Sequence, residues 1–262
     1  MIEILVFSLF IGLMAGFLAG LFGIGGGLVI VPALVILFER QAFPESSIML
    51  MALGTSLATI MLTSLASARA HHRLGAVIWP AVFHLAPGLI VGTVLGSLFA
   101  EHLASKQLKW IFCVFLIWVA LQMAFKVNLN FGARHRNKYI DGAVGSLIGF
   151  ISALVGIGGG TLTVPYLASG QMSIKNAVAV SSACGFPIAL GGAFSYAWLG
   201  WHVPGLPVWS VGYIYLPAFL GIVLLSTLSV PLGARLTHRL PTQKLKRYFA
   251  LLLVLVATKM LW

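Results

Sequence analysis

The residues with the clearest chemical meaning in this chain lie in two glycine-rich stretches, GLFGIGGGLVIVPAL at residues 20–34 and ALVGIGGGTLTVPYL at residues 153–167. Each stretch places the pentapeptide GIGGG inside an apolar run, with a proline nine residues after its first glycine. In a helix interior glycine costs about 1 kcal/mol and proline about 3 kcal/mol relative to alanine, so both stretches predict a broken helix. Free amide groups at the start of the following helix, with its macrodipole behind them, favour an anion.

Two pairs of hydroxyl side chains follow the glycine stretches at corresponding places, Thr55-Ser56 and Ser181-Ser182. They can add neutral hydrogen-bond donors to an anion site. Helix packing is the alternative interpretation, because small residues allow membrane helices to approach closely and hydroxyls often bond to carbonyls of their own helix. The predicted anion-binding residues are Gly23, Gly25, Gly26, Gly27, Thr55, Ser56, Gly156, Gly158, Gly159, Gly160, Ser181 and Ser182, and the predicted helix-break or hinge residues are Pro32 and Pro165.

Few other side chains offer chemistry. His84 is the most deeply placed ionisable residue of the predicted spans, and it is a candidate proton or anion relay or, alternatively, a partner in a hydrogen bond between helices. GIGGG lacks the Lys-Ser/Thr of a phosphate-binding loop, and no nucleophile, base and acid are placed to act together. We therefore expect no enzyme activity, no cofactor and no metal site.

The composition describes the environment of these residues. Of the 262 residues 60% are hydrophobic and 8% are charged, and the mean hydropathy is +1.04. A soluble domain carries about 25% charged residues, so we expect an integral membrane protein. Sixteen Lys and Arg stand against five acids, but they lie in short loops between apolar runs, which indicates topology signals and lipid headgroup contacts rather than nucleic-acid binding.

The chain also contains an internal duplication. The two glycine stretches are 133 residues apart, and GSLFAEHLASKQLKW from Gly96 matches GARLTHRLPTQKLKR from Gly233 at a shift of 137. The predicted organisation is a first repeat at 1–127, a polar cytoplasmic linker at 128–139 and a second repeat at 140–262. Internal repeats are common in secondary transporters.

Both repeats divide in the same way into a long apolar stretch and three segments of span length. A membrane span needs about 20 residues, whereas the leading stretches, 4–38 and 140–169, are too long for one straight span. This pattern predicts an all-α polytopic membrane protein. The predicted spans are 48–68, 77–99 and 108–125 in the first repeat, and 176–199, 209–232 and 246–261 in the second.

The distribution of Lys and Arg indicates how the leading stretches run. If each crosses the membrane once, the sixteen cations divide nine to seven between the two sides, which carries no topology signal. If each is a hairpin bent at its glycines, they divide twelve to four, as the positive-inside rule requires. We therefore predict hairpins, two repeats of inverted topology and both termini on the non-cytoplasmic side. Re-entrant and fully crossing hairpins give the same charge count, so this count leaves the number of membrane segments between eight and ten.

GIGGGLVIVP and GIGGGTLTVP, in a duplicated chain of this length, resemble the sulfite exporter TauE/SafE family, also called the TSUP family. The resemblance covers essentially the whole chain. It implies a secondary transporter of small anions such as sulfite, sulfoacetate or other organosulfonates, often an exporter, in the bacterial plasma (inner) membrane. The alternatives are a membrane accessory subunit that transports nothing by itself and a cation permease. The coupling ion and a homo-oligomeric state are left open.

Overall fold

A computed structural model describes residues 2–22, 26–125, 138–170, 172–236 and 242–261. Within these ranges the chain forms ten α-helices, a 3-10 turn at Gly200–His202 and two short antiparallel strands. The strands are β1 (Ser210–Val211) and β2 (Ile214–Tyr215). The helices are α1 (Ile2–Phe22), α2 (Gly27–Arg40), α3 (Glu45–Arg73), α4 (Trp79–Glu101), α5 (Ser105–Phe125), α6 (Lys138–Val155), α7 (Gly160–Ser169), α8 (Ile174–Leu199), α9 (Leu216–Leu236) and α10 (Thr242–Leu261).

Seven of the described helices are long and apolar enough to cross a membrane, namely α1, α3, α4, α5, α6, α8 and α9. In α10 the apolar part is shorter, Tyr248–Met260. Two further helices, α2 with 14 residues and α7 with 10, are too short to span a bilayer core at 1.5 Å per residue. Both short helices directly follow a glycine stretch. The predicted all-α polytopic membrane fold is confirmed.

One predicted span begins later than expected. The segment predicted as 209–232 becomes helical only at Leu216, because residues 209–215 form a turn and the two strands. Trp209 and Gly212 have positive φ angles of 72° and 55°, which no helix accommodates. Tyr213, between the strands, is buried. Pro217 then occupies the first turn of α9, where a missing N–H removes no helical hydrogen bond.

Helices of each half of the chain pack against helices of the other half, α1 along α9 and α6 along α4. A β-carbon on Gly96 would collide with the carbonyl oxygen of Phe150, and one on Gly233 with that of Phe17. These contacts correspond under the duplication, since Gly233 follows Gly96 by 137 residues and Phe150 follows Phe17 by 133. Matching glycines therefore bring matching helix pairs close together.

The central pair of helices, α3 and α8, runs antiparallel. Gly192 packs against Leu57, whereas Gly185 packs against Ser64, so the chain advances along one helix as it recedes along the other. These helices hold corresponding positions in the two repeats. The inverted topology of the repeats stays a prediction, and it is supported by this antiparallel crossing.

Helices α6 and α8 run in the same direction. Gly159 lies beside both Ile148 of α6 and Ile188 of α8. Further along both helices, the hydroxyl of Tyr196 donates a hydrogen bond to the carbonyl of Ala153. Because α6 and α8 are parallel, α7 must return the chain to the side on which α6 begins, as a hairpin does.

Candidate functional site

The chain turns at one glycine directly before each short helix. Gly26 precedes α2 with φ 77°, and Gly159 precedes α7 with φ 73°. This left-handed conformation is readily available only to glycine, and the two positions correspond under the 133-residue shift. The first amide groups of each short helix have no acceptor within the helix. Both breaks therefore present positively polarised N–H groups in the protein interior.

The two breaks contact each other. A β-carbon on Gly27, the first residue of α2, would collide with the carbonyl oxygen of Gly156 and lie 3.0 Å from the Cα of Ile157. Gly156 itself has φ 66°. Any larger residue at 27 would push the second break away, so glycine at this place allows the two hairpins to meet.

Side chains satisfy the carbonyl groups that the second break releases. Tyr196, which is fully buried on α8, donates to the carbonyl of Ala153 at 3.0 Å. Ser56 on α3 donates through Oγ to the carbonyl of Gly156 at 2.8 Å. An unpaired carbonyl at membrane depth costs several kcal/mol, so these two donors stabilise the break.

A small cavity lies beside the second break, between α1, α3 and α8. It leaves about 10 Å³ for the centre of a water-sized sphere, enough for about one water molecule. None of its lining side chains carries a charge, and five carry a hydroxyl. We call it the hydroxyl cavity, and its lining residues are Ala19, Thr63, Ser64, Ser67, Gly158, Ser181, Ser182 and Gly185.

Two hydroxyls of this cavity have no hydrogen-bond partner among the described residues. They belong to Ser67 of α3 and Ser181 of α8, which are 5% and 1% exposed. Ser182, Ser64 and Thr63 each donate to a carbonyl of their own helix. A buried polar group without a partner costs about 1–3 kcal/mol, so these two positions favour an additional ligand.

The structure brings several of the predicted site residues together. Gly27 and Gly156 are in contact, Gly158, Ser181 and Ser182 line the hydroxyl cavity, and Gly26, Gly159 and Gly160 form the adjoining turns and helix start. Gly23 and Gly25 lie outside the described residues.

Four other predicted residues do not line the hydroxyl cavity, namely Thr55, Ser56, Pro32 and Pro165. The hydroxyl of Ser56 is committed to a backbone carbonyl, and Oγ1 of Thr55 accepts a hydrogen bond from the N–H of Tyr215 in β2, at 3.0 Å. The break lies at the glycines and not at the prolines, because α2 and α7 continue past Pro32 and Pro165 in their interiors. The hinge role of these prolines stays a prediction.

His84 lies apart from the cavity, next to a buried carboxylate. Its Nδ1 is 3.8 Å from Oδ2 of Asp141, which is fully buried near the start of α6. Tyr166 of α7 donates to Oδ1 of the same carboxylate at 2.6 Å. The relay role of His84 stays a prediction, and its placement links α4, α6 and α7. The described residues contain no cluster of three potential metal ligands.

Sequence reasoning overlooked the hydroxyls of the second half of α3. Thr63 and Ser67 are four residues apart and Ser64 lies three before Ser67, so they share one helix face. This spacing was the available signal. Tyr196 was overlooked as well, because a tyrosine in an apolar span gives no indication of the carbonyl it will reach.

Span-length helices, two broken helices that meet inside the protein and a polar cavity beside them define a multi-pass membrane transporter architecture. Residues 8–260 match the model of the sulfite exporter TauE/SafE family. The chain belongs to this family.

Three relatives with curated descriptions are similar to this chain over most of their lengths. A probable membrane transporter protein of Haemophilus influenzae is 42% identical, over 99% of both chains. A probable membrane transporter protein of Methanocaldococcus jannaschii is 29% identical, over 90% of this chain and 87% of its own. One of Bacillus subtilis is 27% identical, over 96% and 95%. No solved structure matches.

Proposed function

We propose that this membrane transporter is a secondary carrier that exports small anions, with sulfur oxyanions such as sulfite and organosulfonates such as sulfoacetate as its substrate class. The observation that carries the proposal is the contact of Gly27 with Gly156, beside the hydroxyl cavity. The proposal is supported by this contact between the first residue of α2 and the second break, and by Gly158 of that break, which lines the cavity together with neutral hydroxyl donors.

Electrostatics favours an anion over a cation at this place. Helix N-termini attract negative charge and repel positive charge. None of the residues that line the cavity is acidic, whereas cation carriers generally use intramembrane carboxylates. Hydroxyl and carbonyl oxygens alone would have to hold a cation against the two helix ends. This makes the cation permease the weaker alternative.

The two halves differ in how their corresponding hydroxyls are used, which fits alternating access. Ser56 is bonded to the break of the other half, whereas the corresponding Ser182 is bonded to its own helix. On the side of Ser56, Gly54 packs against Tyr213 and Tyr196. We infer that the path from this side of the membrane to the cavity is closed. Movement of the two repeats about the breaks then opens this path and closes the one from the opposite side.

Export of an anion needs no intramembrane acid. With a negative cytoplasm, each exported negative charge gains about 2.3 kcal/mol per 100 mV. The division of the Lys and Arg residues, four on one predicted side and twelve on the other, supports an orientation with both termini outside the cytoplasm. The proposed location is the bacterial inner membrane, with lipid and a small anion as partners, and a homo-oligomer is compatible with it.

The test is flux of sulfite and sulfoacetate from proteoliposomes under an imposed potential. We expect Gly158→Leu to abolish flux, because Gly158 lines the hydroxyl cavity, which is too small to accommodate a leucine side chain. The matched control is Gly142→Leu, since a β-carbon on Gly142 meets nothing within 4 Å. Unchanged flux in Gly158→Leu would refute the site. Absence of flux from the purified wild type, with flux restored by a co-purifying protein, would favour the accessory subunit.

A further inference from the structure

The donors that the hydroxyl cavity offers to a ligand are all neutral. Ser67 and Ser181 bring hydroxyls without partners from two different helices, and both residues are more than nine-tenths buried. Backbone amides at the start of α7 add partial positive charge at the adjoining break. The remaining lining side chains are uncharged too. A bound anion would therefore be held by dipoles only.

The nearest titratable groups on the helices around the cavity do not change this description. On α3, His71 is buried one turn beyond Ser67 and has an interaction of its own. On α8, Cys184 lies between the two cavity positions Ser182 and Gly185, and it also has an interaction of its own. Among the residues that the structure describes, no Lys or Arg belongs to the lining.

This balance of forces depends strongly on the charge of the anion. The cost of removing an ion from water rises with the square of its charge, whereas its attraction to fixed dipoles rises only in proportion to the charge. A second negative charge therefore multiplies the desolvation cost by about four but the stabilisation by about two. Arg is over-represented where proteins bind phosphate dianions, because its charge and paired donors offset this cost. The cavity is also small, so a ligand of sulfonate size requires the break to move outward.

We propose that the hydroxyl cavity accepts anions of a single negative charge and excludes dianions. Within the proposed substrate class, hydrogensulfite and monovalent sulfonates are then the transported species, sulfoacetate is carried as the monoanion with its carboxyl group protonated, and the sulfite dianion is a poor substrate. Ser67 and Ser181 are the residues that donate to the bound monoanion. This inference rests on the proposed function, because it narrows the substrate class of the same site.

The direct experiment compares methanesulfonate with sulfate, two tetrahedral anions of equal heavy-atom number that differ in charge. Efflux of each is measured from proteoliposomes of the wild-type protein at zero membrane potential. We expect methanesulfonate to leave at least about tenfold faster, which corresponds to about 1.4 kcal/mol. Equal rates, or faster sulfate, would overturn the inference while leaving an anion carrier in place. No flux of any anion would overturn the proposed function itself.

Sulfite provides a second measurement, because it changes from monoanion to dianion near neutral pH. We expect its rate at constant total concentration to fall in proportion to the monoanion as the pH rises. Methanesulfonate keeps its charge over the same range and controls for effects of pH on the protein itself. A sulfite rate that rises with pH, against a constant methanesulfonate rate, contradicts the proposal.

Two variants tie the selectivity to the cavity. Ser67→Ala and Ser181→Ala each remove one donor to a charged ligand, so we expect methanesulfonate efflux to fall about tenfold. Thr258→Ala is the control, since that hydroxyl is exposed and bonds to its own helix. Intact thermal unfolding transitions show that the variants fold. Unchanged efflux from both folded serine variants would overturn the assignment of these residues.

Discussion

Removal of the Ser56 hydroxyl tests how the second helix break is held inside the membrane. Ser56 is fully buried, and its hydrogen bond of 2.8 Å reaches the carbonyl of Gly156 across 100 residues of sequence. Ser56→Ala leaves that carbonyl without this donor, at a cost of about 1–3 kcal/mol. Since 1 kcal/mol shifts the Tm of a chain of 150–250 residues by about 2–4 °C, a loss of about 2 kcal/mol should lower the Tm by about 4–8 °C.

The duplication supplies a matched control at Ser182. Its hydroxyl bonds to the carbonyl of Val178 in the same helix, and that carbonyl keeps its backbone partner when the hydroxyl is removed. Ser182→Ala should therefore cost less than about 1 kcal/mol. Ser56→Cys retains a weaker donor and should fall between Ser56→Ala and the wild type.

The assay is thermal unfolding of the purified variants in one detergent, followed by circular dichroism. The reasoning is refuted if Ser56→Ala and Ser182→Ala lower the Tm equally, or if Ser56→Ala has no effect. Either result would mean that the Gly156 carbonyl does not depend on this hydroxyl.

Three further predictions concern other contacts. Gly27→Ala should lower the free energy of unfolding by about 1–3 kcal/mol, because the methyl group overpacks against the second break. Gly142→Ala should leave that free energy unchanged, and equal Tm values of the two variants would contradict this. Tyr166→Phe should lower stability by about 1–3 kcal/mol because buried Asp141 loses a donor, and an unchanged denaturant midpoint would argue against it. Burial raises the pKa of Tyr213 above its ordinary 10.0, so its contribution to stability is complete below that value and declines at higher pH. Tyr213→Phe should therefore reduce the loss of stability in alkaline unfolding curves, and an unchanged loss would contradict this.

The helical framework was predictable because few principles decide it. Apolar length alone predicts α3 to α5 and α8 to within a few residues at each end, and α3 extends furthest, to include the polar positions Glu45 and Arg73. The glycine stretches predicted where the helices break, because only glycine adopts the φ angles of Gly26 and Gly159 without strain.

The partners of individual polar groups were not predictable in the same way. Ser56 and Thr55 are neighbours in sequence, yet one bonds to a break and the other to β2. The carbonyl that accepts from Ser56 lies 100 residues away, and the N–H that donates to Thr55 lies 160 residues away. Tertiary packing therefore decides both hydrogen bonds. The burial of Asp141 has the same origin, since an acid near a helix start normally indicates only a favourable interaction with the macrodipole.

The packing of helices from one half against helices of the other has a consequence for how the protein is made on the ribosome. α1 ends at Phe22, and its packing partner α9 begins only at Leu216. At about 5–20 residues per second, the ribosome needs about 10 to 40 s to make the intervening chain. During that time the face of α1 that packs against α9, which includes Gly12 and Gly16, has only lipid or an insertion factor to cover it. Assembly of the protein therefore depends on membrane insertion that can hold an early helix for a late partner.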